Sequence, residues 1–289
     1  MIKLTRNRAN AVASLCGAKR EEKELELLTG RRDLLAAGTG GSQTWSTTYW
    51  KAGKDTLRAE SEGKCAYCES PTAVVAHGDV EHFRPKSNYW WLAYCLDNHL
   101  YACQICNQSF KGDQFPVQGA PMTGPTVRRS TSDIALTRLV GTFAPDPVQV
   151  LQGCKLKDFV KACLQEKPGL PDPYNVNPEP MFRWEADETN KEVWIRPRTN
   201  SARNKFIIES VEAYMGLNRE ELRRVRWTLA YAPLARLKSI LDQLQSTGMA
   251  DVIQITRDSI GAMMASNQPY AAMVRYFVND AWDLQIPVQ

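Results

Sequence analysis

Cys65-Ala-Tyr-Cys68, then Asp79-Val-Glu81-His82, then Asn98, then Cys103-Gln-Ile-Cys106-Asn107, closing on Lys111-Gly112, make up the stretch from which the fold is read. Each C-x-x-C turn offers two thiols from one tight bend, and two such turns supply four ligands for a tetrahedral Zn²⁺ at about 2.3 Å. Thirty-four residues separate Cys68 from Cys103, so the metal would close off a substantial insertion. The alternative is four unrelated buried cysteines, which two knuckles in one chain make the weaker reading. His99 and Cys95 are possible substitute ligands, but each would abandon one C-x-x-C geometry. Four thiolates leave no open position for water, so this metal would be structural.

All three histidines of the chain, His77, His82 and His99, fall inside the insertion. His82 stands apart because Glu81 precedes it and Phe83-Arg-Pro-Lys86 follows. A carboxylate oxygen suits a hard cation such as Mg²⁺, and an adjacent imidazole can take a proton from water near neutral pH. Asp79 is a second carboxylate on the same segment, placed behind Glu81 as a ligand or as an orienting partner. Arg84, Lys86 and Lys111 are candidates for phosphate contacts, with solvated surface charge as an equal alternative. The run Tyr89-Trp-Trp-Leu-Ala-Tyr94 could stack on bases, but packing the module onto its neighbours is the better use of so much apolar area.

Glu81-His82-Phe-Arg-Pro-Lys86, Asn98 and Cys103-x-x-Cys106-Asn107-x-x-x-Lys111-Gly112 together resemble the HNH endonucleases, the ββα-metal family. The resemblance implies that His82 is the general base, that Glu81 and Asn107 ligate a catalytic Mg²⁺ or Mn²⁺, and that Asn98 pins the hairpin loop. With asparagine in the last position, the chain would be an HNN variant. Further stretches are similar to a narrower group, the bacterial anti-phage HNH proteins of the Septu type, which also occur as retron effectors. These are Lys64-Cys-Ala-Tyr-Cys-Glu69, Tyr89-Trp-Trp91, Phe115-Pro116 and Gly216-Leu-Asn-Arg219. That likeness implies a nucleic-acid substrate, DNA ahead of RNA, and a partner ATPase of the ABC or SMC-like kind. In retron systems a reverse transcriptase and its RNA–DNA product would join the partners.

The remaining composition narrows the class without choosing the chemistry. Of 289 residues 43% are hydrophobic and 24% charged, the balance of an ordinary globular chain that can bury its own core. A net charge of +4 permits nucleic-acid binding but is too small to argue for it alone. No apolar run approaches the length that spans a bilayer, and no membrane partner is expected. Arg6 and Arg8 precede a segment in which only Val12 and Leu15 are strongly apolar, too weak for a signal peptide, so a short N-terminal helix is expected. Eight cysteines, four of them scattered, fit a reducing bacterial cytoplasm better than a disulfide framework.

The expected fold is α+β and mostly helical, with a ββα module stabilised by a four-cysteine zinc site and flanked by helices. Residues 1–64 form an N-terminal helical segment, broken at Gly38-Thr-Gly-Gly41 and helical again around Trp45–Glu60. Residues 65–116 form the module, a short hairpin and a helix after Cys106. Residues 117–199 hold loops, since ten of the sixteen prolines lie between Pro116 and Pro180, with one helix at Lys155–Leu164 and a hairpin around Asp187-Glu-Thr-Asn190. Residues 200–289 turn helical, with Asn218 expected as a cap, an apolar face from Leu234 to Leu244, and helices near Asp251–Met264 and Tyr270–Trp282. Arg219, Arg223, Arg224 and Arg226 crowd one helix, more in keeping with a solvated face than with a binding patch. Two other functions stay open: a non-catalytic zinc-stabilised adaptor, and a stand-alone restriction or mobile-element nuclease.

Overall fold

The computed structural model describes residues 1–38, 43–72, 77–148, 153–244, 246 and 248–289. Helices dominate among them, accompanied by two small antiparallel sheets, the mixed α+β architecture expected. Helix α1 (Gly17–Ala37) ends where Gly38 turns to φ 65, a left-handed cap that costs glycine no Cβ clash. The rest of the expected break, residues 39–41, lies outside the described residues. Helices α2 (Thr47–Lys51) and α3 (Lys54–Glu60) fill the span expected over 45–60, with a turn at Gly53 between them.

Strand β1 (Asp79–His82) pairs antiparallel with β2 (His99–Ala102), in a register that sets Asp79 opposite Ala102 and His82 opposite His99. A single wide helical turn (Ile105–Lys111) follows, completing a ββα unit. It ends at Gly112, whose φ of 48 favours glycine and whose N–H closes on the Asn107 carbonyl at 2.8 Å.

Past the module, α4 (Asp133–Leu139) is a helix that the proline-rich composition conceals, capped by Ser132 Oγ accepting from the Ala135 N–H at 3.3 Å. Helix α5 (Leu156–Gln165) fills the helix expected at Lys155–Leu164 and buries Phe159 and Cys163 on one face. The hairpin of β3 (Phe182–Asp187) and β4 (Glu192–Pro197) turns where Asp187 accepts from the Thr189 and Asn190 N–H groups.

Then come α6 (Ala202–Met215), α7 (Glu220–Arg226), a wide turn (Trp227–Tyr231) running into α8 (Ala232–Leu244), α9 (Ala250–Met263) and α10 (Ala271–Arg275), which continues as a wide turn to Ala281. The cap expected at Asn218 is not made. Its side chain instead bonds both the N–H and the carbonyl of Ile195, at 2.9 Å each, and so holds β4.

Among the described residues, two apolar cores are shared by the four stretches of sequence. One joins both cysteine knuckles to β3, β4 and the C-terminal helices as far as Ile286. The other joins α1–α3 to residues 89–96 and to the buried faces of α4 and α5. Tyr89, Trp90, Trp91 and Tyr94 are all buried in the second core, the packing role favoured for that run. Each fully buried apolar side chain there is worth about 1.5–3 kcal/mol, so the small module draws its rigidity from both sides.

Candidate active site

The thiols come first because they hold the two ends of the insertion together. Cys65, Cys68, Cys103 and Cys106 each bring one sulfur into a cluster whose atoms all lie within 4.8 Å of one another. Cys68 Sγ and Cys103 Sγ are 3.9 Å apart, close to the roughly 3.8 Å edge of a tetrahedron with 2.3 Å Zn–S bonds. The residues present therefore fit Zn²⁺. Among the described residues neither His99 nor Cys95, the two substitutes left open, belongs to the cluster. The first knuckle is tied to β2 through Ala66 N–H and the Tyr101 carbonyl at 2.9 Å, so the cluster fixes the hairpin directly.

Distant residues also grip these knuckles. Arg219 Nη1 lies 3.6 Å from Cys106 Sγ, bringing a cation to the thiol cluster. Lys64 Nζ donates to the carbonyls of Ser266 and Gln268 at 2.6 and 2.7 Å, and Tyr270 Oη meets Ser70 Oγ at 3.0 Å. A Cβ on Gly216 would lie 2.5 Å from the Phe110 ring, so this glycine lets the site helix settle on the end of α6.

The hairpin lines a cleft of about 370 Å³ with Asp79, Val80, Glu81 and His82, faced by Trp50, Lys51, Lys86, Asn107 and Gly112. His82 is 7% exposed. Its Nε2 lies 2.9 Å from the Ala93 carbonyl oxygen, which only accepts, so that nitrogen carries the ring proton and Nδ1 keeps the lone pair. Burial lowers the His82 pKa to about 4, opposed by the Ala93 bond and reinforced by Lys86 and Lys111. The imidazole is thus a neutral base at physiological pH. The Trp50 ring meets it edge to face at 4.8 Å.

Asn98 is fully buried. Its Oδ1 accepts from the Arg84 N–H at 2.9 Å, while its Nδ2 donates to the Arg84 carbonyl at 3.0 Å and to that of Leu92 at 3.4 Å. One amide therefore staples the chain leaving β1 to the loop that carries Ala93. Asn107 is half-buried, and its Nδ2 lies 3.5 Å from Asp79 Oδ2, which also accepts from Gln108 Nε2 at 2.7 Å. The carboxylate tied to Asn107 is therefore that of Asp79.

Glu81 is held differently. Lys111 Nζ pairs with its Oε1 at 2.5 Å and donates to the His82 carbonyl at 3.0 Å, while the Tyr67 hydroxyl donates to Glu81 at 3.3 Å. Burial raises the Glu81 pKa, and Lys111 opposes that shift. Lys111 is itself buried, so it serves an internal ion pair rather than the phosphate contact expected of it.

Arg84 also departs from the expected phosphate role. Its guanidinium is buried against Glu166, with Nε at 2.6 Å, and donates from Nη2 to the Cys163 carbonyl at 3.2 Å; the pair staples the hairpin loop to α5. Lys86 does line the cleft, its Nζ 5.9 Å from the Trp50 ring centre. Of the arginine row, Arg223 pairs with Glu192 at 2.9 Å and Arg226 donates from the core to the Leu217 carbonyl at 2.6 Å. Arg224 is the member whose side chain stays mostly exposed, so the row is largely internal rather than a solvated face.

Trp50, Lys51, Gln108 and the Ala93 carbonyl are not legible in the sequence, because α2 carries no motif and a main-chain oxygen leaves no trace in side-chain identity. For Arg219 a signal existed, since Gly216-Leu-Asn-Arg219 is one of the stretches singled out above.

Comparison with known proteins adds a match. Over 78 residues, 22% of this chain and 26% of the relative, the sequence is 38% identical to the Septu protein PtuB of Bacillus mycoides (strain KBAB4). The chain thus spans about a quarter of that relative's length. No family model and no solved structure matches.

Proposed function

We propose that this chain is a metal-dependent HNH endonuclease that hydrolyses phosphodiester bonds, DNA ahead of RNA, as the effector of a bacterial anti-phage defence complex. The observation that carries the reading is the His82 ring, held by Ala93 through Nε2 in a cleft that also contains Asp79, Glu81 and Asn107.

His82 Nδ1 takes the proton of a water as that water attacks phosphorus in line with the leaving 3′ oxygen. Asp79 and Asn107 are neighbours at the open cleft, with Asn107 Nδ2 3.5 Å from Asp79 Oδ2. With its amide turned to present Oδ1, Asn107 would join Asp79 in offering hard oxygens to a divalent cation, and Glu81 would add a third only if Lys111 gives way. A Mg²⁺ or Mn²⁺ held there would polarise the phosphate and stabilise the leaving oxygen. Lys86 and Lys51 stand at the cleft to hold the backbone. Asn98 acts through the loop that it staples and does not touch substrate.

The similarity to a Septu protein supports the defence context. In that context control by ATP would come from a partner ATPase of the ABC or SMC-like kind, since the sequence resembles no nucleotide-binding P-loop. No helix among the described residues is long and apolar enough to cross a membrane. The test is purified protein, with and without the ATPase from its genomic neighbourhood, incubated with plasmid, genomic DNA and tRNA in Mg²⁺ or Mn²⁺. Cleavage of at least one of these substrates, abolished by EDTA, is expected. No cleavage under any combination would leave the adaptor reading in its place.

A further inference from the structure

His99 is fully buried and has no part in the reaction described above. It lies directly opposite His82 in the β1–β2 register. The two rings meet edge to face, 4.8 Å apart at 88°. His99 Nε2 lies 3.0 Å from the Ala93 carbonyl oxygen, the same atom that His82 Nε2 approaches at 2.9 Å. Its own Nδ1 is buried without a hydrogen-bond partner among the described residues. We infer that His99 is a positioning residue, which anchors the Ala93 carbonyl and so holds the His82 ring in one tautomer and one orientation.

Protons and lone pairs decide the arrangement. A carbonyl oxygen accepts and never donates, so both rings must carry their proton on Nε2. A neutral imidazole has one such proton, which leaves both lone pairs on Nδ1. The Ala93 oxygen has two lone pairs, and the two histidines occupy both of them. No water can then compete for that oxygen, and the peptide plane that orients His82 is held from two sides. Asn98 steadies the same loop through the neighbouring Leu92 carbonyl, so the arrangement is reinforced one residue away. Because the His99 lone pair is buried, the ring works as a fixed donor and not as a second base.

The bland alternative is that His99 merely fills space, in which case a ring of similar volume without a donor would serve as well. Two substitutions separate these readings. Phenylalanine fills the site but cannot donate. Glutamine places an amide N–H near the position of Nε2 without the ring.

The inference rests on His82 being the general base, so its test includes a readout independent of cleavage. In the full chain labelled with ¹⁵N-histidine, the His82 ring nitrogens report the tautomer by NMR. Wild type should show a single Nε2–H form. His99→Phe should show a mixture of tautomers, with kcat down by about 10²-fold at unchanged KM, as expected when a reacting group is misplaced by about an ångström. His99→Gln should restore the single form and most of the rate. A pure Nε2–H form in His99→Phe, or a glutamine variant as impaired as the phenylalanine one, would overturn the inference. Should His99→Phe fail to fold, His99→Met poses the same question with a more adaptable side chain. An inactive wild type whose His82 tautomer still depends on His99 would sink the nuclease reading and leave the positioning role standing.

Discussion

Lys111 Nζ sits 2.5 Å from Glu81 Oε1, with both side chains buried. Two residues expected to face a phosphate and a metal thus face each other, and the pair braces the strand that ends in His82. Removing one partner of a buried ion pair strands the other charge and costs about 3–5 kcal/mol. Lys111→Ala should therefore lower unfolding free energy by that amount in urea titrations. The double variant Lys111→Met with Glu81→Leu should recover much of the loss. A Lys111→Ala protein as stable as wild type would mean that the pair does not form.

The thiol cluster makes a separate prediction. Binding to a structural zinc site is folding free energy, since the unfolded chain lacks the site. Cys65→Ser should reduce bound zinc, measured per chain by elemental analysis, and lower Tm by on the order of 10 °C. An unchanged zinc content and melting profile would remove this residue from the site.

Arg219 should tune that same cluster from the C-terminal side. Partners of metal ligands typically change metal affinity by about 10–100-fold when lost. Arg219→Leu should accordingly release zinc to a competing chelator at lower chelator concentration than wild type. Identical competition curves would reduce the Arg219–Cys106 contact to packing alone.

The cysteine knuckles, the hairpin between them and the helix expected after Cys106, which begins at Ile105, were legible because each rests on short-range spacing. The helix at Lys155–Leu164 and the hairpin around Asp187 were legible for the same reason. The partners of the charged residues were not. Arg84 finds Glu166 eighty-two positions on, and Lys64 finds carbonyls more than two hundred positions on. No local pattern encodes such meetings, so Arg84 and Lys111 pass for surface cations until the chain is folded. Helix α4 escaped because its seven residues sit among prolines, and Asn218 passed for a cap because its true partner, Ile195, lies on another element.

Burial of His82 also sets a pH dependence of stability. Its folded pKa of about 4 lies below the unfolded value of about 6.5, so the unfolded chain binds the proton more readily. This stabilising contribution is complete above about pH 6.5 and is lost as pH falls toward 4. Between pH 7.5 and 5, wild type should lose about 2 kcal/mol more than His82→Phe, an order-of-magnitude figure from that gap. Parallel stability profiles for the two proteins would show that the folded ring protonates as freely as the unfolded one.

The proposed role of His82 is tested most directly by cleavage with His82→Ala beside wild type, each with the proposed partner ATPase and Mg²⁺ or Mn²⁺, and with folding checked by circular dichroism and zinc content. The variant should be folded and zinc-loaded, and should cut nothing that the wild type cuts. Undiminished cutting by the folded variant would contradict it and place the active site elsewhere.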